Sequence, residues 1–202
     1  MLVDANDEQL VAFHGGIYWD AFSAQHEPLA VWQRARRGEL PYRLWVRLAL
    51  DDEGIAGGIA FERYPASGCG LLTYMVVAPR ARGHGIGKAL VDDALAVLSD
   101  APAVYGEIND AATQTREPVE VAQRRLAMFE RWGARPVAMR YIQPALAEGL
   151  SPDETLRLIA WGNDDPVLAQ RFVDELAATL ASDMATLASD TATLASDTTS
   201  ES

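Results

Sequence analysis

Val76-Val77-Ala78-Pro79-Arg80-Ala81-Arg82-Gly83-His84-Gly85-Ile86-Gly87-Lys88-Ala89-Leu90 is the stretch on which the reading of this chain turns. An apolar run stops at a proline, turns through glycines at 83, 85 and 87, and opens a helix. The first turn of a helix leaves backbone N–H groups without partners, and the aligned peptide dipoles add roughly half a positive charge there. An anion satisfies both at once, and the glycines remove the side chains that would hold a phosphate away. Arg82 and Lys88, the only lysine of the chain, add cationic side chains at the rim.

Outward from this stretch, the pattern alternates between strand and helix. Residues 7 to 37 carry apolar positions at helical spacing, broken at Gly15-Gly16 and at Pro28. Leu44, Val46, Leu48 and Leu50 alternate before the turn-like Asp51-Asp52-Glu53-Gly54, which leads into Ile55 to Tyr64, so a hairpin is predicted. Leu71 to Ala78 reads as a strand buried on both faces. A helix from about Gly87 to Leu98 and a strand from Val104 to Ile108 then imply a parallel crossover. Pro118 to Trp132 is predicted helical with Gly133 past its end; Val137 to Ile142 and Thr155 to Trp161 are predicted strands; a last helix follows Pro166. The domain is expected to span residues 1–180. Residues 181–202 continue a repeat of Ala-Thr-Leu-Ala-Ser-Asp with Leu180, Leu187 and Leu194 seven apart, but Met184, Thr191 and Thr198 at the partner heptad positions, which favours a disordered or frayed tail over a zipper.

Bulk properties narrow the function. A formal charge of -12 disfavours nucleic acid as a partner, since phosphate binding draws on a basic surface, and favours a cationic or neutral one. No run approaches the ~20 apolar residues of a membrane helix, and Met1-Leu2-Val3-Asp4 does not open a signal peptide, so a cytoplasmic location without membrane attachment is expected. The lone Cys69 sits between glycines in an expected turn and cannot form an internal disulfide. His14 and His26 are too isolated to suggest a metal, and none is expected.

Three phosphate-binding readings compete. A nucleoside-triphosphate loop needs a hydroxyl where Ala89 stands, and a dinucleotide-binding turn needs a Gly-x-Gly-x-x-Gly spacing that Gly83, Gly85 and Gly87 do not give. The third is a resemblance. Arg82-Gly83-His84-Gly85-Ile86-Gly87 resembles the Gln/Arg-x-x-Gly-x-Gly/Ala signature of the GNAT N-acetyltransferase superfamily, preceded by its Val-x-Pro as Val77-Ala78-Pro79. The likeness extends over residues 42 to about 161, and Met128-Phe129-Glu130-Arg131-Trp132-Gly133-Ala134 resembles the family's Phe-Tyr-Glu-x-x-Gly-Phe.

That resemblance implies an α+β fold with a mixed, mostly antiparallel sheet, splayed between its central strands and flanked by helices. It implies acetyl-CoA as co-substrate, with its diphosphate on Arg82, Gly83, His84, Gly85, Ile86, Gly87 and Lys88. The pantetheine arm would pair with the backbone of Met75, Val76 and Val77, and Phe129 would border it. His84 would serve through its backbone. The implied reaction passes an acetyl group directly to a primary amine of a small molecule or protein. A homodimer is an open option.

The amine must lose a proton before it attacks, because its pKa lies near ~10. The family's usual base position falls at Thr73 and Tyr74, neither of which is a base, so Glu107 on the diverging strand is the leading candidate, with Glu62 behind it. For the acid, Phe129 stands where many relatives carry a tyrosine and cannot donate a proton; Tyr141 is the candidate in its place, with Tyr105 behind it. Trp19, Trp32 and Trp45 are candidates for an acceptor pocket. A rival reading is an acyl-CoA-binding regulatory module without catalysis.

Overall fold

The structure is a computed structural model, and it describes residues 1–22, 26–145 and 151–198. The chain opens with β1 (Leu2–Asp4), α1 (Asp7–Phe13), a wide π-type turn over His14–Tyr18, α2 (Trp19–Phe22) and α3 (Leu29–Arg36). Asn6 starts α1 through a reciprocal capping box with Gln9, which satisfies two backbone donors that the first turn would leave unpaired. Gly16 departs from helical geometry (φ -108°, ψ -117°), so the predicted break at Gly15-Gly16 is a bend within a continuous helical path.

β2 (Arg43–Asp51), β3 (Gly54–Arg63) and β4 (Gly70–Val77) form the antiparallel meander, and α4 (Ile86–Val97) carries the chain across to β5 (Ala103–Asn109). α5 (Val119–Arg131), β6 (Arg135–Pro136), β7 (Leu156–Gly162) and α6 (Pro166–Thr198) complete the order. The seven strands lie as β1-β2-β3-β4-β5-β7-β6, and every neighbouring pair is antiparallel except β4 with β5. This is the mixed, mostly antiparallel sheet that the sequence led us to expect.

Two apolar clusters cover the faces. On one, α1, α3 and α6 pack Phe13, Trp32 and Phe172 against Leu48, Ala60 and Tyr105; on the other, Leu90, Val91 and Ala94 of α4 and Phe129 of α5 pack against Ile59, Phe61 and Trp161. Close approach has a specific cause at Gly58, where a Cβ would lie 2.5 Å from the Phe13 ring. A bidentate Arg47–Asp93 pair, at 2.6 and 3.0 Å, ties β2 to α4. Glu175 of α6 accepts from the amides of Ala66 and Ser67 at 2.7 Å each, fixing the β3–β4 turn beneath that helix.

One predicted element is not formed. Only Arg135 and Pro136 pair with β7; after Val137 donates to Leu158 O, the chain folds on itself through Met139 N to Val137 O, and residues 139–142 are not a strand. The apolar alternation of this segment comes from burying Val137 and Tyr141 on the sheet, without a ladder to follow. β1 was not expected; it adds an edge strand to β2. α6 carries helical backbone to Thr198, past Leu180, and side chains are described only to Ser182, so the positions of Leu187 and Leu194 lie outside the described side chains. Among the described residues no helix is long and apolar enough to cross a membrane.

Candidate active site

β4 and β5 share only three register pairs, Gly70 with Val104, Leu71 with Tyr105 and Leu72 with Gly106. Beyond them the sheet opens, with Thr73 to Val77 on one side of the gap and Glu107 to Asn109 on the other. The opening coincides with a slip between β3 and β4: Ala60 faces Tyr74 but Phe61 faces Leu72, so Thr73 is an extra residue that bends β4 where pairing stops. A cavity of about 450 Å³ fills this gap. Met75, Ile108, Val91, Phe129 and Trp161 line it from the α4–α5 face, and Glu27, Glu62, Tyr74, Glu107 and Leu176 from the α1–α3 and α6 face.

Strand alternation decides which backbone groups meet the gap. Ala78 N donates to Ala56 O, and Val76 O lies only 3.0 Å from where a Cβ on Gly57 would be, so Ala78 and Val76 turn their polar groups toward β3. Met75 and Val77 therefore present theirs to the gap, whereas Val76 does not, although all three were expected to. The Val77 carbonyl accepts from Arg82 Nε at 3.1 Å.

The glycine turn has the geometry of an anion site. Gly83 (φ +81°) and Gly85 (φ +78°) occupy the left-handed region, and a Cβ on either would meet nothing within 4 Å, so the turn faces open space. Among the described residues the amides of 83 to 88 donate no hydrogen bond to the protein. A diphosphate fits this set of free donors. Gly87 has a different reason to lack a side chain: its Cβ would come 3.2 Å from the Trp132 ring, which packs α5 against the start of α4. The His84 side chain is exposed, with Nδ1 3.4 Å from Ala81 O, leaving its backbone to face the turn. Lys88 Nζ is held by both carboxylate oxygens of Asp92, at 2.6 and 2.9 Å, so its charge is shared with a neighbour one turn on.

On the opposite face, carboxylates gather around the gap. Glu107, partly buried, accepts from the Tyr141 hydroxyl and from Gln143 Nε2 at 2.8 Å; burial pushes its pKa up while these two donors pull it back. Tyr141 is 3 % exposed, and burial first, then the adjoining Glu107 carboxylate, push its own pKa up. Glu62 is 3 % exposed and accepts from Tyr64 OH at 2.6 Å through Oε2. Burial first, then the charges of Glu27 and Glu107, push Glu62 up to about 8. The Thr73 hydroxyl, buried beside this carboxyl, favours its ionised form.

Glu27 comes from the segment before α3 and is fastened by the aromatic cluster of that face. Trp32 Nε1 donates to Glu27 Oε2 at 2.7 Å, the Glu27 amide donates to Tyr18 OH at 2.8 Å, and His14 Nε2 lies 2.8 Å from its carbonyl. Tyr74 stands edge-on to Tyr18 and Phe22, with ring centroids 5.0 and 5.1 Å away.

The sequence and the structure agree unevenly here. Glu107 and Tyr141 are brought together, but Tyr141 does not line the cavity. None of Trp19, Trp32 and Trp45 lines it: Trp19 is 43 % exposed against His26, Trp32 is core, and Trp45 stacks on Phe61 on the other face. Tyr105 is fully buried against Phe172, away from the cavity wall. Glu27, Tyr64 and Arg125 were not anticipated. Arg125 could have been found from its place one helical turn before Phe129, which puts both on the same face of α5. Among the described residues no group of three or more His, Cys, Asp or Glu is arranged to hold a metal ion.

A sequence profile described as the acetyltransferase (GNAT) family matches residues 11–118, just over half of the chain. The chain therefore belongs to the GNAT acetyltransferase family, whose members use acetyl-CoA. No curated protein matches it in sequence. Its fold is similar to that of a ribosomal-protein-alanine N-acetyltransferase from Brucella melitensis, with TM-score 0.56 and 17% identity over 81% of this chain and 99% of that one. It is also similar to Naa20 from Chaetomium thermophilum in complex with a bisubstrate analogue, with TM-score 0.56 and 19% identity over 83% and 88% of the two chains. A third similar fold is an aminoglycoside 6'-N-acetyltransferase complexed with coenzyme A, with TM-score 0.57 and 14% identity over 79% and 95%.

Proposed function

We propose that this chain is an N-acetyltransferase that passes the acetyl group of acetyl-CoA directly to a primary amine of a small molecule or protein. The observation that carries the reading is the cavity at the parted edges of β4 and β5, with carboxylates on one face, together with the turn of unpaired amides that follows the end of β4. The diphosphate is held by the amides of Gly83 to Lys88, flanked by Arg82, His84 and Ile86. The arm lies along Met75 and Val77, with Phe129 as its apolar wall. Bound acetyl-CoA supplies an activated acetyl thioester.

Glu107 is the base. It sits where the strands part, and its raised pKa suits it to accept the ammonium proton, directly or through a water. Tyr141 and Gln143 orient that carboxylate, so Tyr141 acts as a positioning residue and not as the acid. No acid is required, because a thiol with pKa near ~8.5 leaves as thiolate and takes its proton from solvent. Holding amine and thioester together in the cavity supplies much of the acceleration.

Similar folds bear names that include a ribosomal-protein alanine and an aminoglycoside, so both acceptor classes are compatible with this architecture. We take residues 1–180 as the catalytic domain, 181–202 as its tail and the cytoplasm as its location. The apolar Phe129 favours one alternative, a module that binds acyl-CoA without turning it over. Thiol release from acetyl-CoA over a panel of amines tests the choice: turnover above background with one class supports the enzyme, and binding of CoA without turnover across the panel leaves the binding module.

A further inference from the structure

The last helix forms part of the wall on the acceptor side of the cavity. Phe172 of α6 stacks on Tyr105 at 4.8 Å and meets Tyr64 edge-on at 5.4 Å, while Glu175 holds the amides of Ala66 and Ser67. These contacts fasten the helix to the sheet. Residues four apart share a helix face, so the face that seats Phe172 also brings Leu176 and Leu180 to the cavity. Rings supply the neighbouring wall and lock one another in two pairs, Tyr42 on Tyr64 at 5.5 Å and Phe22 edge-on to Tyr74 at 5.1 Å.

Charge on this wall has one sign. Among the described residues its carboxylates are Glu27, Glu62 and Glu107, and each accepts from a donor of the protein: Trp32 for the first, Tyr64 for the second, Tyr141 and Gln143 for the third. The arginine that lines the cavity, Arg125, is taken by Glu117 through two hydrogen bonds, at 2.5 and 2.9 Å, with Asn109 on the same carboxylate. An acceptor bearing a carboxylate or phosphate would therefore meet like charge with no counter-ion to offset it. An apolar body meets rings and leucines, and its transfer out of water is favourable.

We infer that the acceptor is a small primary amine on an apolar, ring-bearing body without an anionic group, its amine beside Glu107 and its body against the rings and against Leu176 and Leu180, which set its size. This inference rests on the acetyltransferase reading and narrows its acceptor from amines in general to small apolar ones. The cavity of about 450 Å³ must also admit the acetyl end of the coenzyme, which keeps the body small. A protein terminus would lay backbone amides and carbonyls along rings and leucines that offer them no partners.

Binding to the CoA-loaded protein tests this without relying on turnover. CoA binding is measured first by calorimetry, so that loss of the coenzyme site is seen separately; without it the acetyltransferase reading fails and this inference with it. With CoA bound, 2-phenylethylamine is expected to bind at least ~10-fold more tightly than ethylamine, the difference expected from burying one ring. It should also bind at least ~10-fold more tightly than phenylalanine, which has the same body with a carboxylate added, and than triglycine amide, which stands for a protein terminus. Leu176→Trp and Leu180→Trp should each bring the preference for 2-phenylethylamine over ethylamine close to one, because the new ring occupies the space of the ligand's. Two variants guard against one failing to fold, and the comparison of ligands on the wild type needs neither. Equal affinities for 2-phenylethylamine and ethylamine, binding of phenylalanine or triglycine amide as tight as that of 2-phenylethylamine, or an unchanged preference in both folded variants would overturn the inference while leaving the coenzyme reading intact.

Discussion

Replacing Glu62 by glutamine should change how stability depends on pH, in a direction fixed by the surroundings of that residue. Burial and the charges of Glu27 and Glu107 raise it from 4.5 to about 8 in the folded chain, while in the unfolded chain it titrates near its ordinary value. Between those values the folded state holds a proton that the unfolded state has lost. Stability therefore falls as pH rises through this window, is fully retained below about 4.5, and reaches its full loss above about 8. At ~1.4 kcal/mol per unit, the ceiling is ~5 kcal/mol, and a few kcal/mol is expected because Glu27 and Glu107 share the titration. Glu62→Gln keeps an acceptor for Tyr64 and cannot ionise, so it removes this contribution. Urea denaturation followed by tryptophan fluorescence, at pH 5.5 and at pH 8.5, reads it directly. The wild type should lose a few kcal/mol more than the variant between the two pH values. Equal losses in both proteins would mean that Glu62 is ionised in the fold throughout, and the charge argument for the cavity would be wrong.

Other perturbations separate the parts of the site. Tyr141→Phe removes a donor that stabilises ionised Glu107, so the pKa of that carboxylate should rise further; the rising limb of the kcat/KM profile should move to higher pH, with activity at pH 7 down ~10-fold. Gly85→Asp puts a carboxylate into the open turn at a left-handed position and should weaken CoA binding at least ~10-fold by calorimetry, at a stability cost of ~1–2 kcal/mol. Gly58→Ala forces a Cβ to 2.5 Å from the Phe13 ring and should lower Tm through a loss of ~3 kcal/mol, leaving CoA affinity per folded molecule unchanged.

Much of the fold was legible because its signals are local. The glycine turn, the Pro79 stop and the alternation of Leu44 to Leu50 each act within a few residues, and β2, β3, β4, α4, β5 and α5 all fall within two residues of their expected bounds. The segment after Val137 misled because burial of alternate residues was taken for pairing, and β1 is too short to leave a pattern. The site was legible only in part. Glu107 follows from its place on the diverging strand, but the approach of Glu27 to Glu62 joins a helix-connecting segment to a strand some 35 residues away. No spacing rule encodes that meeting. The tryptophans misled for a similar reason: Trp32 faces the core and reaches the cavity only through its hydrogen bond to Glu27.

A crystal structure of the chain saturated with CoA tests the central claim most directly. The diphosphate should lie against the amides of Gly83 to Lys88 and the arm between Met75 of β4 and the start of the β5 divergence, with the sulfur opening toward Glu107. A coenzyme bound elsewhere, or a strand gap closed by protein with the amides of the turn paired internally, would contradict it.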